Sequence, residues 1–204
     1  MSTPDYPVRL VGGHDLGRSR LTVFFRLILV IPHYIVLAFY GIGAFFAIFV
    51  SWFAALFTGR VPDGLHSFIS GYLRYYTRVL SYQMMLANPY PPFGAGGDYP
   101  VDLEIDPAAR QGRLGVFFRY FLAIPCLVVM YLLNILLNLI GLGGWIVGTI
   151  TGRMPEGMES LGLFCLRFIA RTQAYLYLVN PRYPAFGDTP GSLPANSAAL
   201  PPLP

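Results

Sequence analysis

Residues 57–65 read FTGRVPDGL, and residues 150–158 read ITGRMPEGM. The shared string Thr-Gly-Arg-x-Pro-acid-Gly recurs at an offset of 93 residues (150 − 57). Applied to the whole chain, this offset aligns residues 6–94 with residues 99–187 and brings many identical residues together. The sequence therefore predicts a tandem duplication, in which each repeat contains the same turn.

The turn itself has the features of a boundary between two helices. Glycine ends a helix readily, and proline followed by an acid is typical of a helix start, where the acid meets the positive end of the helix dipole. Each acid comes three residues after Arg60 or Arg153, which favours a local ion pair. The string lacks the Gly-Lys-Ser/Thr ending of a phosphate loop. The predicted turn residues are Pro62, Asp63, Gly64, Pro155, Glu156 and Gly157.

The composition indicates a membrane protein. Of 204 residues, 55% are hydrophobic and 12% are charged, whereas a soluble domain has about 25% charged residues. All 14 basic residues are arginine, and the net charge is +4. Because the arginines flank long apolar runs, they favour binding to anionic lipid headgroups over binding to nucleic acid.

An uncharged run precedes each turn. It spans residues 27–58 in repeat 1 and residues 120–152 in repeat 2. As one helix, either run would be about 48 Å long, which exceeds the ~30 Å apolar core of a bilayer. We therefore expect a helical hairpin in each run, either fully crossing or re-entrant. Its connection is predicted at Gly41–Gly43 in repeat 1 and within residues 134–144 in repeat 2.

An amphipathic helix follows the turn. Residues 65–87 show the 3.6-residue period, with Arg74 and Arg78 on the polar face. Such a helix would lie at the membrane interface. A third span per repeat is the alternative, but it would put the arginines on both sides of the membrane. Four spans with both termini in the cytoplasm satisfy the positive-inside rule.

Short extended segments begin the repeats. YPVRL starts at residue 6, and YPVDLEI starts at residue 99. Val101, Leu103 and Ile105 alternate with acids, which predicts a short strand or extended arm.

The predicted fold is thus an all-α membrane protein of two tandem repeats with short extended arms. Each repeat consists of a transmembrane hairpin and an amphipathic interfacial helix. The boundaries are 6–94 for repeat 1 (hairpin about 21–58, amphipathic helix about 63–87), 99–187 for repeat 2 (hairpin about 114–151, amphipathic helix about 156–179) and 188–204 for a proline-rich tail.

Two further groups of residues are predicted from the expected membrane location: one contacts lipid headgroups and the other packs the helices together. Ten arginines are expected to contact lipid headgroups or the interface: Arg20, Arg26, Arg60, Arg74, Arg78, Arg113, Arg119, Arg153, Arg167 and Arg171. Small residues at every fourth position allow two helices to approach closely. This predicted packing seam comprises Gly43, Ala47, Ser51, Ala55, Gly59, Gly144, Gly148 and Gly152.

Three motifs together resemble a known family. They are TGRxP-acid-G, a following Leu-Arg-x-x-x-Arg and a closing Asn-Pro…Tyr-Pro-x-Phe. They are similar to those of bacterial integral membrane proteins known only as a domain of unknown function, and the resemblance covers nearly residues 6–187. It implies a bacterial inner-membrane location and brings no activity or catalytic residue.

The sequence offers no catalytic or metal site. His14, His33 and His66 lack a second ligand at metal-binding spacing, and no nucleophile lies beside a base. We therefore expect no enzymatic activity and no cofactor. The predicted function is a non-catalytic scaffold or accessory subunit of a larger membrane complex, bound to anionic lipids. A membrane protein partner or a homo-oligomer is expected, but not nucleic acid.

A small transporter, channel or lipid-handling protein is the alternative function. Asn134 and Asn138 lie four residues apart in the second apolar run. They would be costly in lipid, so we expect them to form hydrogen bonds inside the bundle, or to line a site at the repeat interface.

Overall fold

The computed structural model describes residues 6–12 and 20–184, and the tail 188–204 lies outside this part. The described residues are mostly helical and contain one two-stranded sheet. In chain order the elements are β1 (Val8–Gly12), α1 (Arg20–Leu29), α2 (Ile31–Thr58), α3 (Asp63–Gln83), β2 (Val101–Ile105), α4 (Arg113–Phe117), α5 (Arg119–Thr151) and α6 (Glu156–Leu176).

Most of each uncharged run lies in one long helix, α2 or α5, with no turn at the predicted connection. Gly41–Gly43 lies inside α2, and residues 134–144 lie inside α5. The prediction of a hairpin within each run is therefore wrong, and so is the four-span topology built upon it. A Cβ atom added at Gly43 would lie 3.1 Å from the ring of Phe68. This glycine leaves room for α3 to approach, rather than turning the chain.

The chain reverses instead at the repeated turn. Phe68, Tyr75 and Tyr82 of α3 contact Tyr40, His33 and Arg26, in that order. Residue numbers thus rise along α3 as they fall along α2 and α1, so α3 packs antiparallel to both helices. In repeat 2, α6 returns along α5 in the same way. Each repeat is a hairpin whose loop is TGRxP-acid-G.

The geometry of this loop is the same in both repeats. Gly59 and Gly152 each have φ +74°, the left-handed conformation that glycine adopts without strain at a helix end. Thr58 Oγ1 lies 2.7 Å from the Ala54 carbonyl oxygen and 2.9 Å from that of Arg60, so it donates to either one. Thr151 has the equivalent contacts. Pro62 and Pro155 directly precede α3 and α6.

The Ile-Pro pairs act differently in the two repeats. In repeat 1, α1 ends at Leu29 and Pro32 is the second residue of α2. In repeat 2, Pro125 lies inside α5, and the break falls earlier, at Phe118. Since proline lacks the N–H group that the helix interior requires, both positions weaken the helix locally.

The two predicted arms are the strands β1 and β2, which pair antiparallel and form a two-stranded ribbon. Leu10 lies opposite Leu103, which is its own repeat equivalent (10 + 93 = 103). The flanking pairs, Val8 with Ile105 and Gly12 with Val101, exchange under the same offset. A pseudo-two-fold axis therefore passes through the centre of this ribbon and relates the repeats.

The same symmetry governs the contacts between the repeats. Val23 of α1 packs on Gly148 near the end of α5. A Cβ atom added at Gly148 would lie 3.5 Å from the Val23 side chain. The equivalent residues Val116 and Ala55 share another buried cluster. Each repeat thus begins beside the end of the other repeat's long helix. Consequently, α2 and α5 run in opposite directions.

Candidate functional site

The long helices expose a large apolar surface. One stripe of each helix is buried against its neighbours, and most of the remaining circumference is exposed. Phe39 is 74% exposed and Phe121 is 73% exposed. Surfaces of this kind mark contacts with a membrane or a protein. The helical stretches Thr22–Thr58 and Arg119–Thr151 are long and apolar enough to cross a membrane, by length and composition.

The small residues of the predicted seam lie on the packed side of these helices. Ala47, Ser51 and Ala55 are buried in α2, and Gly144 and Gly148 are buried in α5. Gly43 faces Phe68, and a Cβ atom at Gly144 would lie 3.3 Å from Met154. In α2 the small residues contact α3 and α4, and in α5 they contact α1 and the turn of repeat 2. The seam therefore joins each long helix to more than one element.

A basic cleft lies where the turn of repeat 1 meets the start of repeat 2. Its volume is about 750 Å³. The Gln111 N–H donates to the Gly59 carbonyl at 2.8 Å and fixes the two segments together. Arg60 pairs with Asp63, with 2.7 Å between Nη2 and Oδ1. The lining residues are Thr58, Gly59, Arg60, Val61, Pro62, Asp63, Arg110, Gln111, Gly112 and Arg113.

The charge of this cleft suits an anion. Three arginines line it against one aspartate, and all four side chains are exposed. The structure thus brings Arg60 and Arg113, both predicted as headgroup ligands, to one place. Arg110 was not predicted as a ligand, since only the fold carries residue 110 to the first turn. A guanidinium group matches the oxygens of a phosphate through paired N–H donors.

Gln111 has a structural role that the sequence did not indicate. Its Nε2 donates to the Leu178 carbonyl at 2.6 Å, and its Oε1 accepts from Arg119 at 2.5 Å. One buried side chain therefore ties the floor of the cleft to the end of α6. No pattern in the sequence distinguishes this glutamine, because its partners Gly59 and Leu178 are distant along the chain.

The corresponding turn of repeat 2 carries Arg153 and Glu156, both exposed. The residues that would complete an equivalent cleft are 17–20. Residues 17–19 and the side chain of Arg20 lie outside the described part, so the predicted role of Arg20 is not addressed.

The structure contradicts the predicted headgroup role of Arg26 and Arg119. Both side chains are buried. Arg26 donates to the carbonyls of Tyr82, Ala87 and Asn88 at 2.8–3.3 Å. Arg119 donates to the carbonyls of Tyr175 and Asn180. Both arginines thus donate to carbonyls at the last turn of α3 or α6 and in the segment that follows it.

Arg74 and Arg78 also do not reach outward as predicted. Asp102 of β2 accepts from Arg78 at 2.8 Å and 3.0 Å, and from Arg74 at 2.5 Å. Burial alone would raise the pKa of Asp102, but the hydrogen bonds from both arginines outweigh it and hold the pKa below the usual 3.8. The polar stripe of α3 therefore binds a strand.

The equivalent arginines of repeat 2 meet a different neighbour. Arg171 is buried, donates to the Val8 carbonyl at 3.3 Å and lies 4.2 Å from the ring centre of Tyr6. Its predicted headgroup role is therefore wrong as well. Arg167 is half-buried, at the position equivalent to Arg74.

The two asparagines of the second apolar run lie together on the surface of α5. Asn138 is exposed on α5, and its Nδ2 donates to the Asn134 side chain at 2.9 Å. The two side chains form a hydrogen bond with each other on the helix surface, whereas hydrogen bonds inside the bundle were expected. Among the described residues, no group of three or more His, Cys, Asp and Glu side chains could hold a metal ion.

Comparison with known proteins identifies a family but not an activity. No curated protein and no solved structure matches the chain. One family model, described as Domain of unknown function (DUF4389), matches residues 20–95 and 113–187. The two matches coincide with the helical parts of the two repeats. The chain therefore belongs to this family and contains its domain twice.

Proposed function

We propose that this chain is a non-catalytic membrane protein that binds anionic lipids and serves as a scaffold or accessory subunit of a larger membrane complex. The observation that carries the proposal is the apolar surface of two long helices beside a cleft with three arginines. Apolar side chains bury their surface in acyl chains, while arginines bind the phosphates at the same boundary.

The cleft supplies the anion-binding part of this function. Arg110 and Arg113 are exposed, and both lie within reach of a group entering from the end of α2. A lipid phosphate there would gain charge-assisted hydrogen bonds. We place the protein at the inner membrane of a bacterium, with this cleft facing the anionic cytoplasmic leaflet.

Lipid-dependent stability tests the proposal. The detergent-solubilised protein is melted with phosphatidylglycerol or with phosphatidylcholine at equal concentration. We expect phosphatidylglycerol to raise the melting temperature by about 3 °C or more relative to phosphatidylcholine. The R110Q/R113Q variant should lose most of this difference, since both substituted side chains line the cleft.

The matched control is R9Q/R167Q, which removes the same charge outside the cleft. It should keep the difference. Equal stabilisation by both lipids, or an equal loss in both variants, would reject specific binding of anionic lipid by the cleft.

The scaffold role has its own test. The protein, extracted from native membranes in mild detergent, should elute with a larger complex of membrane proteins. Elution as a solitary, monodisperse monomer would contradict it.

A further inference from the structure

We propose that α1–α2 and α5 lie flat in one leaflet, with the pseudo-two-fold axis along the membrane normal, instead of crossing the bilayer. The surface concerned is the exposed apolar side of the long helices, and its occupant is the acyl chains of lipid. The inference rests on the proposed membrane location and adds the orientation of the molecule.

The first argument is length. The stretch Thr22–Thr58 has 37 residues and Arg119–Thr151 has 33. At 1.5 Å per residue, these helices are about 55 Å and about 50 Å long. A crossing helix would have to be tilted by more than about 50° to fit a ~30 Å core, beyond the usual range of about 0–40°. A helix that lies in the membrane plane has no such limit.

The second argument is the height of the charged ribbon. Leu103, at the centre of β2, shares a buried cluster with Ile69 of α3 and Ala47 of α2. Ile69 follows Phe68, whose carbonyl accepts a hydrogen bond from Tyr40 in the middle of the stretch Thr22–Thr58. The ribbon thus lies level with the middle of the long helix.

The outer residues of this ribbon remain in contact with solvent. The side chains of Arg9, Glu104 and Asp106 are 35%, 55% and 47% exposed. If α2 and α5 crossed the bilayer, these charges would sit near its centre, where each costs about 2.5 kcal/mol or more. With the helices in the membrane plane, the ribbon faces water.

Symmetry places both long helices at one depth. A two-fold rotation preserves height along its axis, and this axis passes through the Leu10–Leu103 pair of the ribbon. It exchanges α2 with α5, so both helices lie equally far from the ribbon. A helix is about 10–12 Å wide, and one leaflet offers about 15 Å of apolar depth. The pair of helices therefore fits within one leaflet.

The arginines of the two turns give the third argument. Arg60 and Arg153 lie at opposite ends of the molecule, because α2 and α5 run in opposite directions. Crossing helices would put these arginines on opposite faces of the membrane. Helices in the plane put both at the same headgroup layer, as the preference for arginine on the cytoplasmic side requires.

Accessibility to a membrane-impermeant maleimide tests this orientation. Gly64→Cys and Gly157→Cys are equivalent positions at which an added Cβ meets nothing within 4 Å. Glu104→Cys reports on the ribbon, and Phe39→Cys reports on the apolar face. The wild-type chain is the blank, because Cys126 and Cys165 are buried. Each protein is labelled in right-side-out and in inside-out membrane vesicles.

We expect Gly64→Cys, Gly157→Cys and Glu104→Cys to be labelled in the same vesicle orientation, and Phe39→Cys in neither. Labelling of the two glycine positions in opposite orientations, or protection of Glu104→Cys in both, would overturn the flat arrangement and leave the membrane location intact. Recovery of the protein outside the sedimented vesicles would instead reject the proposed function, and the orientation with it.

Discussion

Arg78 and Arg171 hold equivalent positions in the two repeats but have different partners. Arg78 meets the carboxylate of Asp102 on β2. The residue of β1 equivalent to Asp102 is Arg9 (102 − 93 = 9), so Arg171 turns to the Val8 carbonyl and the Tyr6 ring. The comparison teaches that the duplication preserved the helices and their turn, while the charges at the ribbon diverged.

Removal of Asp102 should have the largest effect. In D102N, the fully buried Arg78 loses its carboxylate, and a buried charge without its partner costs about 3 kcal/mol or more. The equivalent substitution in repeat 1, R9Q, breaks only half-exposed pairs and should cost less than about 1 kcal/mol. Urea unfolding in detergent measures both. Equal losses would show that the two ribbon positions did not diverge.

Substitution of the buried capping arginines should have a smaller effect, equal in the two repeats. R26Q removes the donor to the Ala87 carbonyl and R119Q the donor to the Asn180 carbonyl, each at a cost of about 2 kcal/mol. Thermal unfolding of the two variants measures this cost. A large loss in one variant and none in the other would contradict the equivalence of the caps. R153Q, at an exposed position, is the control and should be nearly neutral.

The smallest effect is the pH dependence that His66 contributes in repeat 1. Burial lowers the pKa of His66 below the usual 6.5, although the hydrogen bond to the Val179 carbonyl opposes this shift. The unfolded chain therefore binds the proton first as the pH falls. Stability from this group is complete above pH 6.5 and declines as the pH falls from there to the folded-state pKa.

H66Q keeps a side-chain N–H for the Val179 carbonyl but does not titrate. We expect unfolding between about pH 7 and pH 5 to show a steeper loss of stability in the wild type than in H66Q. The residue equivalent to His66 is Glu159, which is also buried. Parallel pH curves for wild type and H66Q would show that His66 does not contribute.

Local signals of the sequence predicted the repeat, the strands and the start of the helices after each turn. Glycine, proline and the acid act within a few residues, so Gly59, Pro62 and Asp63 could be assigned without the fold. The period of 3.6 located α3, although α3 ends at Gln83 rather than near residue 87.

The course of the chain beyond these local elements could not be predicted. A hairpin at Gly41–Gly43 follows only if the apolar run crosses the bilayer perpendicular to its plane. The true reason for these glycines is the approach of Phe68 and Tyr72 from α3. Arg26 offered a signal in its apolar surroundings, VFFRLIL, since an arginine inside such a run is usually buried and paired.

The ribbon sets an order of events during synthesis. β1 emerges from the ribosome first, but its central partner, Leu103, follows 93 residues after Leu10. At about 5–20 residues per second, the edge of β1 waits about 5–19 s for β2. During this interval it presents open backbone donors and acceptors to any neighbouring chain. Two nascent copies on one polysome could therefore exchange their first strands and emerge as a domain-swapped dimer.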